Sequence, residues 1–143
     1  MTKDVLLRLQ SEQTAPTGEK EFVTSELVAE YYERDDVRYL LYEETGEDGQ
    51  VVKNRLKWKK GRVELTRRGA VGLQMVFEQE LRYATQYQTP YGNFPLDVCT
   101  ESVEILEKTH QISISLCYSL ETGNELLSRH KISFFITERL FVK

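Results

Sequence analysis

Large apolar side chains alternate with small polar ones along residues 111–120, which read QISISLCYSL. The isoleucines, the first leucine and Tyr118 share one parity, whereas the serines and Cys117 occupy the other. Successive side chains of a β-strand point to opposite faces, so this segment is predicted to have one buried and one solvent-facing side. A helix would spread the same residues around its whole circumference.

The same alternation recurs along most of the chain and predicts about ten strands, with turn signals roughly every 8–12 residues. The predicted strands cover residues 5–13, 22–32, 37–44, 51–59, 62–68, 71–78, 80–88, 94–100, 103–108, 111–120 and a last segment ending near residue 142. Residues 22–32 also fit a short helix, but their β-branched and aromatic content favours a strand. No segment predicts a helix of three turns.

Short polar loops join the predicted strands, which favours an up-and-down antiparallel order over crossing connections. Lys60-Gly61 predicts a tight turn, and in Thr89-Pro90-Tyr91-Gly92 the proline is second and the glycine fourth, as a type I turn favours. Thr89, Pro90 and Gly92 are therefore predicted to be structural turn residues. Closing the sheet would remove exposed edges. The predicted fold class is all-β, a closed antiparallel up-and-down barrel of about 8–10 strands with little or no helix.

The chain of 143 residues is predicted to form a single domain over residues 1–143, long enough to bury a core without staples. Its net charge of −4 argues against a dedicated nucleic-acid binder. Cys99 and Cys117 are expected to be cytosolic thiols rather than a disulfide. The N-terminal residues lack the features of a signal peptide, and no apolar window predicts a transmembrane helix. A cytoplasmic location without a membrane partner is therefore expected.

Residues 87–100, YQTPYGNFPLDVCT, resemble a signature of the YwiB-like family of small, uncharacterised bacterial proteins. The Thr-Pro-Tyr-Gly turn, an aromatic residue two places on and a final threonine carry the likeness. Residues 63–77 fit that family's strand–Arg–x–Gly–strand pattern, and Tyr42-Glu43-Glu44 fits an earlier tyrosine–glutamate element. The resemblance implies a calycin-like barrel, similar to lipocalins and streptavidin, with no established activity. Such a barrel supports many unrelated functions.

Arg67 has the same parity as Val63 and Leu65, which places it on the apolar face of its predicted strand. An unpaired buried charge is very unfavourable, so an inward arginine must find an anion or other acceptors. One interpretation is a cationic anchor for an acidic or carboxylate-bearing ligand. In the other, Arg67 reaches solvent at the rim or pairs with an internal glutamate, since buried ion pairs are often merely structural.

Tyrosines form a second candidate feature of the predicted inner surface. Tyr83, Thr85 and Tyr87 share one face of their strand, and Tyr118 lies among the inward residues of 111–120. A tyrosine has an apolar body and a polar tip, which suits a ligand cavity. The alternative is a filled core, because small barrels are often packed with side chains. Together with Arg67, these four residues are the predicted ligand-binding residues.

A basic stripe is the third candidate feature: Lys53, Arg55, Lys57 and Lys59 occupy alternate positions of one predicted strand. One interpretation is a cationic strand that contacts phosphate backbones, as some barrel faces do. The other is a solvated outer face, partly neutralised by the glutamates at positions 43–44 of its hairpin partner. The acidic composition favours the second interpretation, so nucleic acid is not an expected partner.

No catalytic constellation is recognisable in the sequence. His110 lies in a predicted turn and His130 on the last predicted strand, and neither has metal-ligand spacing to another histidine or cysteine. No catalytic residue, metal or cofactor is therefore predicted. The leading hypothesis is a non-enzymatic protein that binds a small, partly apolar or anionic ligand inside the barrel, in a cavity of roughly 300 Å³ or more. The alternative is an interaction module that uses the outer surface. The sequence does not decide between a monomer and a homodimer.

Overall fold

The computed structural model describes residues 2–139, which contain ten β-strands and no helix. The strands are β1 (Thr2–Thr14), β2 (Lys20–Arg34), β3 (Val37–Thr45), β4 (Val51–Lys59), β5 (Arg62–Arg68), β6 (Leu73–Phe77), β7 (Arg82–Thr89), β8 (Gly92–Glu107), β9 (Gln111–Thr122) and β10 (Glu125–Glu138). Over this part of the chain, no helix has the length and apolarity that a membrane crossing needs.

All ten strands belong to one antiparallel sheet in which sequence neighbours are also spatial neighbours. β1 pairs with both β2 and β10, so the two ends of the described chain meet in the sheet. The remaining seam lies between β6 and β7, where Gly72 and Gln88 exchange two backbone hydrogen bonds of 2.9 and 2.8 Å. The predicted all-β, up-and-down barrel is confirmed as a nearly closed barrel.

The strand predictions are most accurate where alternation is uninterrupted. β4 and β5 have the predicted bounds, and the ambiguous segment 22–32 lies within the strand β2. The two short strands predicted at 94–100 and 103–108 are wrong, because β8 runs through both. A bulge between Thr100 and Ser102 interrupts its pairing with β9 without ending the strand. Residues 140–142, predicted to end the last strand, lie outside the described residues.

The inward residues of the strands form one hydrophobic core. Trp58, Phe77 and Phe134 are its largest fully buried side chains, and each lies on the inner parity of its strand. On β9 the predicted orientation is confirmed: Ile114, Leu116 and Tyr118 are buried, whereas the side chains between them are partly exposed. These side chains pack the middle of the barrel, and the clefts beside Arg67 and Glu107 lie towards its seams and ends.

The predicted turn after β7 is confirmed and involves the threonine side chain directly. Thr89 pairs with Gly92 across a two-residue turn, and its Oγ1 donates to the Gly92 carbonyl at 2.9 Å. The same oxygen accepts the Tyr91 N–H at 3.1 Å. Gly92 has a φ of 132°, a backbone conformation that L side chains rarely adopt. Thr89 and Gly92 therefore fix the geometry of this hairpin.

The two ends of the barrel differ in how their polar groups are satisfied. At one end Glu107 pairs with Arg38 at 2.9 Å and accepts the Trp58 indole N–H at 3.3 Å. Lys3 and Glu138 form a second ion pair there, at 2.8 Å. The opposite end contains Arg67, the last inward residue of β5, and several polar groups without hydrogen-bond partners. It is called the Arg67 end below.

Candidate functional site

Arg67 is the last inward residue of β5 and lies opposite Asn54 of β4. Its Nη2 donates to Glu44 Oε1 at 3.4 Å, a long contact for an ion pair between charged groups. Its Nε is buried and has no hydrogen-bond partner. With its side chain 34% exposed, Arg67 faces inward at the rim. Its glutamate partner is 46% exposed and therefore lies at the rim rather than inside the barrel.

Polar side chains of three other strands, β3, β4 and β9, lie around this arginine. Asn54 Nδ2 donates to Glu44 Oε1 at 2.9 Å, but the Asn54 Oδ1 atom is buried without a partner. Thr100 of β8, which pairs with Tyr118 across the sheet, has an equally unpartnered buried hydroxyl. We call this set of residues the Arg67 cluster: Tyr42, Glu44, Asn54, Arg67, Thr100 and Tyr118. Buried polar groups are nearly always hydrogen-bonded, so the unpartnered atoms of the neighbouring residues Asn54 and Arg67 identify this end of the barrel as a candidate binding site.

The two tyrosines of the Arg67 cluster are neutral hydrogen-bond donors. Burial raises the pKa of both the Tyr42 and the Tyr118 phenol well above 10, and the positive charge of Arg67 opposes this effect. The carboxylate of Glu44 raises the pKa of Tyr42 further. Both hydroxyls therefore keep their protons at neutral pH. Together with the guanidinium, they give the cluster a surplus of donors, which suits an anion.

His130 adjoins the cluster on β10 and contributes a nitrogen that can accept a proton. Its ring stacks on Tyr118 at 4.8 Å between centroids, and its Nε2 lies 2.7 Å from Ser128 Oγ. Burial lowers the pKa of His130 below its usual 6.5, which favours the neutral imidazole as acceptor for the serine hydroxyl. Within residues 2–139 no group accepts a hydrogen bond from the other ring nitrogen. The pair therefore lacks the third, orienting group of a catalytic triad.

The burial of His130 predicts acid-sensitive stability. The unfolded chain binds a proton at the histidine's usual pKa near 6.5, before the folded protein does, so stability falls as pH drops below that value. His130→Gln, whose amide oxygen can accept the Ser128 hydroxyl, should lose less stability between about pH 7.5 and pH 5.5. Urea unfolding at both pH values measures this difference. An equal loss in both proteins would contradict the assignment.

The predicted ligand-binding residues are only partly brought together. Arg67 and Thr85 line one cleft of about 270 Å³ at the seam between β5, β6 and β7. Tyr118 lies close enough for the Arg67 charge to affect its pKa. Tyr83 is half-buried and packs against the hydrophobic core. Tyr87 faces the same way but lies further along β7, opposite Phe94. A role for Tyr83 and Tyr87 in binding stays a prediction.

Four members of the cluster, Tyr42, Glu44, Asn54 and Thr100, were not predicted as site residues from the sequence. Asn54 interrupts the apolar inner face of β4, directly before Leu56 and Trp58. A polar residue at an inward position is the signal that could have identified it. Thr100 carries no such signal, because threonine is common in strands. Its importance emerges only from the pairing of β8 with β9.

The outer face of β4 departs from one sequence expectation. Lys53 lies opposite Glu43, but no ion pair within 4.0 Å forms between them in the described structure. Glu44 points inward to Asn54 and Arg67 instead. The expected neutralisation of the basic stripe by the glutamates at 43–44 is therefore wrong.

The fold and site define a ten-stranded, nearly closed barrel with a donor-rich polar cluster at one end. Residues 7–134 match the family described as a domain of unknown function, DUF1934, and the chain belongs to this family. The uncharacterized β-barrel protein YwiB of Bacillus subtilis strain 168 is 26% identical over 116 residues, 81% of each chain. The crystal structure of the YwiB protein from Bacillus subtilis superposes with a TM-score of 0.86 at 22% identity, covering 97% of this chain and 94% of that one. The likeness to the YwiB family is confirmed, and a calycin-like description is consistent with the barrel.

Proposed function

We propose that the protein binds a small, partly apolar anion, such as a carboxylate or phosphate ester, at the Arg67 end of the barrel. The observation that carries this proposal is the adjacency of two buried, unpartnered polar atoms, Asn54 Oδ1 and Arg67 Nε, on residues that lie opposite each other on β4 and β5. Leaving such a group unsatisfied typically costs about 1–3 kcal/mol. A ligand that satisfies these groups would recover part of that free energy on binding.

Charge and chemistry favour an anion over a neutral ligand. The guanidinium of Arg67 has a single carboxylate contact, long at 3.4 Å, and Glu44 already accepts from Asn54. A ligand carboxylate or phosphate could take the Nε–H of Arg67 together with a phenolic hydroxyl. The Thr100 hydroxyl can donate as well, and Asn54 Oδ1 could accept from a hydroxyl group on the ligand. Leu73 and Thr85 beside Arg67 provide a less polar wall for the rest of the molecule.

A structural ion pair between Arg67 and Glu44 is the competing explanation, and stability distinguishes the two. If the pair holds the barrel together, Arg67→Met should destabilise the ligand-free protein by up to about 1 kcal/mol, the usual limit for a solvent-exposed ion pair. If Arg67 is a ligand anchor, Arg67→Met should leave stability unchanged or raise it, since it removes an unsatisfied buried donor. Thr100→Val, which deletes an unpartnered hydroxyl, should be similarly neutral or stabilising.

Binding is tested by isothermal titration calorimetry and thermal shift with benzoate, phenyl phosphate and inorganic phosphate as probes. Arg67→Met should weaken the best probe by about 10- to 100-fold, the effect of losing a charged hydrogen bond of about 1.5–3 kcal/mol. Arg82→Met is the matched control, because Arg82 pairs with Asp97 and Glu121 on the outer surface. An affinity that Arg67→Met leaves unchanged, or that Arg82→Met reduces equally, would contradict the proposal.

The proposed role is binding rather than catalysis, and the cytoplasm is its proposed location. Support for a binding role comes from the Ser128–His130 pair, which has no orienting acceptor among the described residues. Support for the location comes from Cys99 and Cys117, which are both free thiols.

A further inference from the structure

We infer that the outer face of β3, β4 and β5 binds single-stranded nucleic acid, independently of anion binding at the Arg67 cluster. Its centre is a row of cations along β4, called the β4 cation ladder: Lys53, Arg55, Lys57 and Lys59. Three of these side chains are exposed and Lys57 is half-buried. They are spaced by about 6.7 Å along the strand, so the ladder is about 20 Å long.

The ladder is not neutralised by its neighbours. Among the described residues, none of its four cations forms an ion pair within 4.0 Å. Arg68 extends the positive surface onto β5, where it lies opposite Lys53 and also lacks an ion pair in the described chain, whereas Arg62 pairs with Glu64 and Glu78. The outward carboxylates of β3–β5 are Glu43, which is unpaired, and Glu64, which pairs with Arg62 at 3.7 Å. The net charge of −4 is therefore distributed unevenly, with cations concentrated on this face.

Aromatic rings adjoin the ladder, which distinguishes this surface from a merely basic one. Tyr32 and Tyr39 stack at 4.6 Å between centroids with planes 8° apart. Lys57 Nζ lies 6.0 Å from the Tyr39 centroid, so the aromatic pair and the ladder form one continuous surface. Aromatic side chains beside a cationic track are typical of surfaces that bind single strands, because bases stack on the rings while cations contact the phosphates.

A groove of about 650 Å³ continues the surface between β2 and β3–β5. Its lining mixes the cations Lys53, Arg55 and Arg68 with the carboxylates of Asp4, Glu30 and Glu43, and Leu41 and Val28 give it apolar patches. The groove therefore does not select for an anion, and the β4 cation ladder and the aromatic pair carry the inference. An unpaired base with its phosphate matches aromatic rings beside a row of cations better than a lipid headgroup or an acidic peptide does. Single strands are also favoured over duplexes, whose bases cannot reach the tyrosines.

The test measures fluorescence anisotropy of a labelled, mixed-sequence single-stranded oligonucleotide at about 50 and 200 mM salt. The full-length double variant Arg55→Glu/Lys57→Glu should bind about 10-fold more weakly at low salt. Its slope of log affinity against log salt should be smaller by about 1.4, the loss of two phosphate contacts to a single strand. Tyr39→Leu should weaken binding about 5-fold or more, the effect of losing one base stack.

The matched control is Lys108→Glu/Lys131→Glu, which makes the same change of net charge at exposed cations outside this face. It should bind like the wild type. An equal loss in this control would overturn the inference, because binding would then follow net charge alone. The inference would also be overturned if the protein bound anionic phospholipid vesicles, or a duplex of the same sequence, as tightly as the single strand and Tyr39→Leu had no effect. If Arg55→Glu/Lys57→Glu binds benzoate and phenyl phosphate as the wild type does, the two sites act independently.

Discussion

Phe134→Ala should lower the free energy of unfolding by about 3–5 kcal/mol, the usual effect of deleting a buried phenylalanine. Phe134 is 1% exposed and packs in the core from β10, the strand that closes the barrel against β1. Deleting its ring removes the transfer free energy and leaves a cavity that the rigid sheet cannot collapse around. Urea unfolding monitored by circular dichroism measures the change.

Phe22→Ala is the matched control, because the same substitution occurs on β2 at a side chain that is 72% exposed. It should change the free energy of unfolding by no more than about 0.5 kcal/mol. If both variants lost similar stability, the distribution of buried and exposed faces described here would be wrong.

Gly69→Ala should destabilise the protein by roughly 2–4 kcal/mol, because backbone strain and overpacking act together. A Cβ atom at Gly69 would lie 2.5 Å from the Val51 carbonyl oxygen of β4, and the residue has a φ of +156°. A backbone oxygen cannot move aside as a flexible side chain can. Since Gly69 follows Arg67 by two residues, the same variant should also bind the anionic probes more weakly.

Gly49→Ala separates strain from close approach. Gly49 has a φ of +81°, but a Cβ there would meet nothing within 4 Å. Gly49→Ala should lower the free energy of unfolding by about 1 kcal/mol, because only the positive φ is unfavourable for alanine there. A Gly69→Ala variant as stable as Gly49→Ala would show that β4 and the β5–β6 connection are not in close contact.

The sequence predicted the fold well wherever side-chain parity stayed constant. β4 and β5 have their predicted bounds because apolar and polar residues alternate without a break on both sides of Lys60-Gly61. Parity changes inside β8, where Val98 and Thr100 face inward and the next inward side chains are Val103 and Ile105. One extra residue in a bulge shifts parity by one, as a turn between two strands also can. Periodicity alone therefore could not show that β8 is one strand.

The candidate site was predictable only in part. The inward orientation of Arg67 follows from its parity with Val63 and Leu65, which is a local property of one strand. Its partners depend on which residues of other strands share its level in the barrel. Tyr118 lies within reach of the Arg67 charge, and Thr100 lies beside Tyr118 through the pairing of β8 with β9, which no local pattern encodes. The unpartnered atoms, on which the proposed function rests, are a property of the assembled cluster.

The most direct test of the anion site is an NMR titration of protein containing isotope-labelled arginine, observing the Arg67 Nε–H resonance. Arg67→Lys assigns the resonance, and phenyl phosphate and benzoate are the probes. A probe that occupies the site should shift the Arg67 signal in a saturable manner and slow the exchange of its proton with water, leaving the Arg82 signal unchanged. If neither probe shifts the Arg67 signal, or if both arginine signals move together, the Arg67 end does not bind small anions.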